Sequence, residues 1–136
     1  MSSIFTRMLE GQEPARFIWT DERFVAIVSN TPIKPGHCIV FPRQEVENWL
    51  ALPPELQSHL LDACRIVGDA IQRVHQPVRV GLAIVSVVVK HVHVHLVPLT
   101  EARELNFAMQ DPHARAEDLD ASAERLRRAI AESARP

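Results

Sequence analysis

The run KHVHVHLVPL, Lys90 to Leu99, places His91, His93 and His95 at every second position, with Val92, Val94 and Leu96 between and after them. A period of two in a stretch rich in β-branched residues is strand patterning. The three imidazoles then project from one face and the aliphatic side chains from the other. Same-face Cβ atoms stand roughly 6.5–7 Å apart along a strand, so one imidazole can act at a reacting centre while its neighbours flank it. Imidazole is also the side chain whose ordinary pKa lies nearest neutrality. Two chemistries use such a row. Neutral imidazoles bind zinc, copper or iron, and an HxH pair on a strand supplies two ligands. In the other, one imidazole attacks phosphorus while its neighbours bind phosphate oxygens or hold its tautomer. No Asp, Glu or Cys lies in the ten residues before His91, which weighs against the metal. Plain surface decoration is the third reading, and Thr, Lys or Glu would serve it equally well.

The rest of the chain has to position that row. SIFTRMLEG reads as a short opening helix, with Ser2 or Ser3 as its N-cap and Gly11 as its stop. RFIWTDERFVAIVS reads as two strands joined through the turn residues TDER. NTPIKPGH is a loop, because two prolines and a glycine cannot continue a ladder, and HCIVFPR is the next strand. ELQSHLLDACRIVGDAIQRVH is the clearest helix. Leu56, Leu60, Ala63, Cys64, Val67, Ile71 and Val74 fall on one stripe, and Pro53 and Pro54 suit its first turn. RVGLAIVSVVVKHVHVHLVPL then reads as two strands or one bent strand, broken near Gly81 or Ser86. AEDLDASAERLRRAIAES closes the chain as an amphipathic helix with Leu119, Leu126 and Ile130 inward. Neighbouring strands favour hairpins over crossovers. The pattern predicts an α+β fold: an antiparallel sheet of about five strands, one long packed helix and short terminal helices, with helices on one face. One long helix leaves part of the sheet bare, which points to a homodimer.

Composition narrows the function classes. The chain has 136 residues, a formal net charge of −2 and a pI near 6.4. One domain is expected, and a nucleic-acid polymer is not the expected partner. No apolar run approaches the ~18 residues of a membrane helix, and the opening residues lack a signal-peptide core. A cytosolic protein with no membrane partner is expected. Cys38 and Cys64 lie inside apolar patterns, form no CxxC and are expected to be buried, reduced thiols.

The motif His91-Val92-His93-Val94-His95-Leu96-Val97 resembles the signature of the histidine triad (HIT) superfamily. SIFTRMLEGQEPARFIWTDERFVAIVSNTPIKPGHCIVFPR is similar to its amino-terminal half. HLVPL with LNFA, Leu105 to Ala108, is similar to the tail of bacterial members. The similarity covers most of residues 3–110 of one domain spanning 1–136, with the last helix at 115–134. It implies an α+β homodimer that binds an AMP-like nucleotide and hydrolyses or transfers nucleotidyl groups at the α-phosphate, with no cofactor and no metal. The substrates implied are nucleoside phosphoramidates, dinucleoside polyphosphates or adenylylated compounds.

Residue by residue, the resemblance makes His93 the nucleophile, forming a nucleotidyl-histidine that water opens. The backbone carbonyl of His91 would hold the other ring nitrogen of His93. The His91 and His95 rings would bond phosphate oxygens or the leaving group. His37, in PGHCIV, either completes that polar set or simply caps a strand end. Ile4, Phe5, Phe24 and Ile27 are candidates for an apolar base slot, or else plain core. Ser29 and Asn30 stand where members place a ribose-binding acid. Val88 stands where a phosphate-holding side chain is expected, and Ser86 replaces a glycine. An asparagine common farther upstream in the family has no counterpart in RVGLAIV. These departures keep a second function open, a nucleotide- or partner-binding HIT module with weak or no catalysis. A metalloprotein is the third. Ser3 and Thr6 occupy the places of a zinc-binding CxxC found in some members, and Glu45 the place of a further histidine. That structural zinc is expected to be absent. Strand alternation points Lys90 away from the histidine face.

Overall fold

The computed structural model describes residues 2–135. Helix α1 (Ile4–Leu9) starts where the Ser3 hydroxyl accepts the Thr6 N–H, and the chain turns out of it at Gly11, whose φ is +77°. Strands β1 (Phe17–Thr20), β2 (Phe24–Val28) and β3 (Cys38–Pro42) follow. Helix α2 (Pro54–His75) starts on a proline and ends where Gln76 turns left-handed, at φ +49°. Strands β4 (Arg79–Ile84) and β5 (Val94–Leu99) precede two short 3₁₀ turns and helix α3 (Ala116–Ser133).

The strands form one antiparallel sheet in the order β1-β2-β3-β5-β4. Strand alternation divides the core in two. Phe24, Ala26, Val28, Cys38, Val40, Val94 and Leu96 face α2 and α3. Val25, Ile27, Ile39 and Phe41 face the opposite side, where Phe5 and Met8 of α1 cover them. Helices therefore stand on both faces of the sheet and not on one. The last helix spans the stretch predicted as helical, Ala116–Ser133. Its 18 residues cover β1 and β2, while α2 lies across β3, β5 and β4. Both cysteines are free and buried.

The chain breaks at Ser86, which sits at φ +52°, and Gly81 lies within β4. The hydrogen-bonded ladder of β5 begins only at Val94. His91, at a bend, and His93 thus precede the strand in a segment that the Val92 N–H ties to the Val46 carbonyl at 2.7 Å. Alternation persists through this segment all the same, for Val92, Val94 and Leu96 all join the helix-side core.

Gly36 holds the turn that delivers His37. Its φ is +96°, and a Cβ there would stand 2.6 Å from the His75 ring. Gly36→Ala is expected to lower the unfolding free energy by roughly 1–3 kcal/mol. The check is a fall in the urea midpoint at unchanged slope.

Candidate active site

Four histidines meet on the α1 side of the sheet, and all four are buried. Carbonyls only accept hydrogen bonds and backbone N–H groups only donate, so most of the ring tautomers follow from their partners. His93 Nδ1 lies 2.7 Å from the His91 carbonyl. It must donate there, which leaves the lone pair on Nε2. His37 Nδ1 accepts the Ile33 N–H at 2.9 Å, so its proton is on Nε2. That Nε2 is 2.9 Å from His95 Nδ1. His37 therefore donates to His95, and His95 carries its own proton on Nε2. The fold thus sets a bare nitrogen on His93 beside an N–H on His95, with the two rings 4.9 Å apart between centroids.

Burial keeps these rings neutral. It pushes His37 down to about 4. Burial first, then the neighbouring His93 and His37, push His95 down to about 3. Burial also lowers His93, against the opposing bond to the His91 carbonyl. In the unfolded chain these groups titrate near their ordinary value of about 6.5. Between that value and 4 the unfolded state binds more protons than the native one, so stability falls as pH falls. Full stability is expected above pH ~6.5. For His37 alone the loss is on the order of 3 kcal/mol by pH ~4. Urea unfolding across this range measures it, and replacing His37 with an untitratable side chain is expected to flatten the slope.

A cavity of about 500 Å³ opens on His93 and His95. Ile4, Phe5, Ile27, Ser29, Asn30 and Val88 all line it, each a position assigned above to a nucleotide. Phe24 does not. It has no exposed surface and packs on the helix side, its ring 4.8 Å from His59. The reason is parity: residues 24 and 27 of one strand cannot face the same way. Asn30 has both ends of its amide engaged, accepting from Arg16 at 3.1 Å and donating to the Pro14 carbonyl at 3.1 Å. Ser29 accepts the Thr31 N–H at 3.2 Å and keeps its hydroxyl proton to donate. Lys90 is exposed and does not line the cavity.

His91 also departs from its assignment as a phosphate ligand. Its ring is fully enclosed, does not line the cavity, and stands edge-on to Phe5 and Phe41. Nε2 donates to the Pro42 carbonyl at 2.7 Å, and Nδ1 accepts the Ser3 hydroxyl at 2.7 Å. With both nitrogens spent, the ring braces the chain while its carbonyl serves His93. The same knot includes Glu45, which accepts the Ser3 N–H and the Thr6 hydroxyl, each at 2.6 Å. Those bonds hold the Glu45 carboxyl below its ordinary range. Two alcohols and a histidine already bonded at both nitrogens do not fit zinc, which takes thiolate, free imidazole or carboxylate. Among the described residues no group of three or more His, Cys, Asp or Glu side chains is disposed to hold a metal ion.

The cavity adds residues that the sequence did not point to, Met8, Thr31, Ile39, Val85, Phe107 and Gln110, and it brings in Val87 and Val89 from the altered stretch around Val88. Ile39 shares the parity of His37 and was legible on that ground. Phe107, edge-on to His95 at 4.7 Å between centroids, comes from a 3₁₀ turn with no period to betray it.

The HIT domain model matches residues 10–102, a span that includes His37 and the whole histidine run. The chain belongs to the HIT family. A HIT-like protein of Saccharolobus solfataricus is 31% identical over 100 residues, 70% of this chain and 72% of that one. The adenylylsulfatase of Arabidopsis thaliana is 21% identical over 128 residues, 90% of this HIT chain and 64% of its own length. Among solved structures, a zinc-bound histidine triad protein of Mycobacterium smegmatis superposes with a TM-score of 0.81 at 26% identity. That match covers 98% of this chain and 96% of the other. Family membership carries a nucleotide-related function for this HIT domain.

Proposed function

We propose that this protein is a nucleotide-binding phosphohydrolase or nucleotidyl transferase that works through His93. The observation that carries the proposal is the 2.7 Å bond from His93 Nδ1–H to the His91 carbonyl, which leaves Nε2 as a lone pair beside the cavity. Nε2 attacks the α-phosphorus in line with the leaving group. A P–Nε2 bond forms as the bond to the leaving group breaks. From a phosphoramidate protonated on nitrogen, that group leaves as the neutral amine. The ring then carries positive charge, which the His91 carbonyl stabilises through Nδ1–H. His95 Nε2–H donates to a phosphoryl oxygen and stays protonated. Water next attacks phosphorus, the P–Nε2 bond breaks, and nucleotide and one proton leave. Ile4, Phe5 and Ile27 take the base, and the Ser29 hydroxyl takes a ribose oxygen. The activity of the Arabidopsis relative, named for an adenylylated sulfate, supports this class of substrate.

The test is release of AMP from adenosine 5′-phosphoramidate. A second reading rests on Val87 and Val88, which line the phosphate end with side chains unable to donate. It makes the protein a nucleotide binder with little turnover. Calorimetric binding of AMP without AMP release would select it.

A homodimer belongs to the proposal. β4 is an edge strand, and Leu82 on it is exposed beside Leu61 and Ile66 of α2. A groove of about 820 Å³ runs along them. An edge with unpaired backbone groups and an apolar flank suits pairing with a second copy. A sizing column is expected to give twice the chain mass, and Leu82→Arg to give the monomer. A monomeric wild type contradicts this. A reducing cytosol suits the two free thiols.

A further inference from the structure

The segment Val85–Val89 forms one rim of the cavity. Val85, Val87 and Val88 are 52%, 72% and 92% exposed, an unusual concentration of open aliphatic surface on so short a stretch. The rim is held against the nucleophile. Ser86 Oγ lies 3.4 Å from both the backbone nitrogen and Nδ1 of His93. A leaving group that departs from His93-bound phosphorus across this rim meets these valines. Among the described residues the cavity lining contains no lysine or arginine, and its two histidines are buried. A polyphosphate leaving group would bring several negative charges to a rim that offers no cation and whose one polar side chain, Ser86, lies against His93. A leaving group without charge would shed water against the valines instead.

We propose that Val85, Val87 and Val88 form an apolar lip that selects nucleotides whose α-phosphoryl group carries an apolar leaving group, against dinucleoside polyphosphates. The proposal rests on the hydrolase reading for its chemistry, but the lip also acts in binding. The site therefore prefers a singly charged phosphoryl centre with an alkyl or other apolar substituent. Preference rises with the apolar area that the substituent lays on the lip.

The probes are adenosine 5′-phosphoramidates of methylamine and hexylamine, with diadenosine tetraphosphate as the charged competitor. The hexyl compound is expected to exceed the methyl compound in kcat/KM by about tenfold or more. The tetraphosphate is expected to be the poorest of the three. The double variant Val87→Ser/Val88→Ser should bring the hexyl-to-methyl ratio close to one, and Val87→Ile/Val88→Ile should retain it. Equal rates for hexyl and methyl compounds, or a preference for the tetraphosphate, overturn the lip. So does a serine variant that keeps the ratio and shifts only the mass on a sizing column, which would make these valines a contact between copies. Calorimetry on His93→Ala separates the lip from the hydrolytic chemistry. There the hexyl compound is expected to bind about tenfold tighter than the methyl compound. Equal affinities sink the lip and leave the hydrolase reading standing. Tight hexyl binding with no turnover by wild type sinks the hydrolase reading and leaves the lip.

Discussion

His93→Ala is expected to lower AMP release from adenosine 5′-phosphoramidate by about 10⁴-fold or more, because it removes the atom that forms the covalent bond. No neighbour can replace it. His91 has both nitrogens spent on Pro42 and Ser3 and does not line the cavity. His95 lines it but has Nδ1 occupied by His37 and a proton on Nε2, so it presents no lone pair. The fold should survive the change. The His93 ring makes one close hydrogen bond, to a carbonyl two residues away, and its loss costs about 1 kcal/mol. AMP binding should persist in the variant, which separates a lost nucleophile from a lost site. The measurement is single-turnover AMP release, paired with calorimetry of AMP. A variant turning over at the wild-type rate would remove His93 from its role.

The second large effect is at His37. His37→Ala is expected to destabilise the protein by roughly 2–4 kcal/mol, through a cavity at a fully buried site and an orphaned Ile33 N–H. It should also cut kcat by about 10²-fold, because His95 loses the donor that keeps its proton on Nε2. Two further variants divide these losses. His37→Asn places an amide oxygen where Nδ1 was, so it should recover stability by accepting from Ile33 while kcat stays low. His37→Gln places an amide N–H near the former Nε2, so it should recover kcat more than stability. Urea midpoints and kcat, with KM read alongside, check both. If Asn and Gln behaved alike in both measurements, the relay from Ile33 through His37 to His95 would be wrong.

What the sequence reveals of each residue depends on the physical signal that residue leaves in it. The histidine row was legible because alternation is a direct consequence of strand geometry. Val92, Val94 and Leu96 indeed occupy the helix-side core while the rings gather on the other side. The end of the ladder at Val94 was not legible, since extended chain with and without sheet partners has the same period. Phe24 shows a different limit. Strand β2 is buried on both faces, so every residue from Phe24 to Val28 is apolar and nothing marks which side is which. Only the spacing of three between Phe24 and Ile27 says that they part company. His91 shows a third limit. Its residue type announces chemistry, yet its role depends on Ser3 and Pro42, which are distant in the chain and reach the ring only after folding. The expectation of helices on one face missed α1, and the sequence did not say where the last helix packs. Residues 116–133 have a polar outer face, and where that helix would lie is settled by the bare surface of β1 and β2. The valine rim had a sequence signal, a missing polar residue, but its exposure had none.

The central claim is a covalent bond between His93 and the nucleotide. Rapid mixing with adenosine 5′-phosphoramidate, quenched in base to preserve a phosphorus–nitrogen bond, followed by peptide mass analysis, tests it most directly. The expected result is one adenylyl group on His93, forming and decaying at rates consistent with turnover. AMP released with no adduct on His93, or with the adenylyl group on His95 or His37 instead, would contradict it.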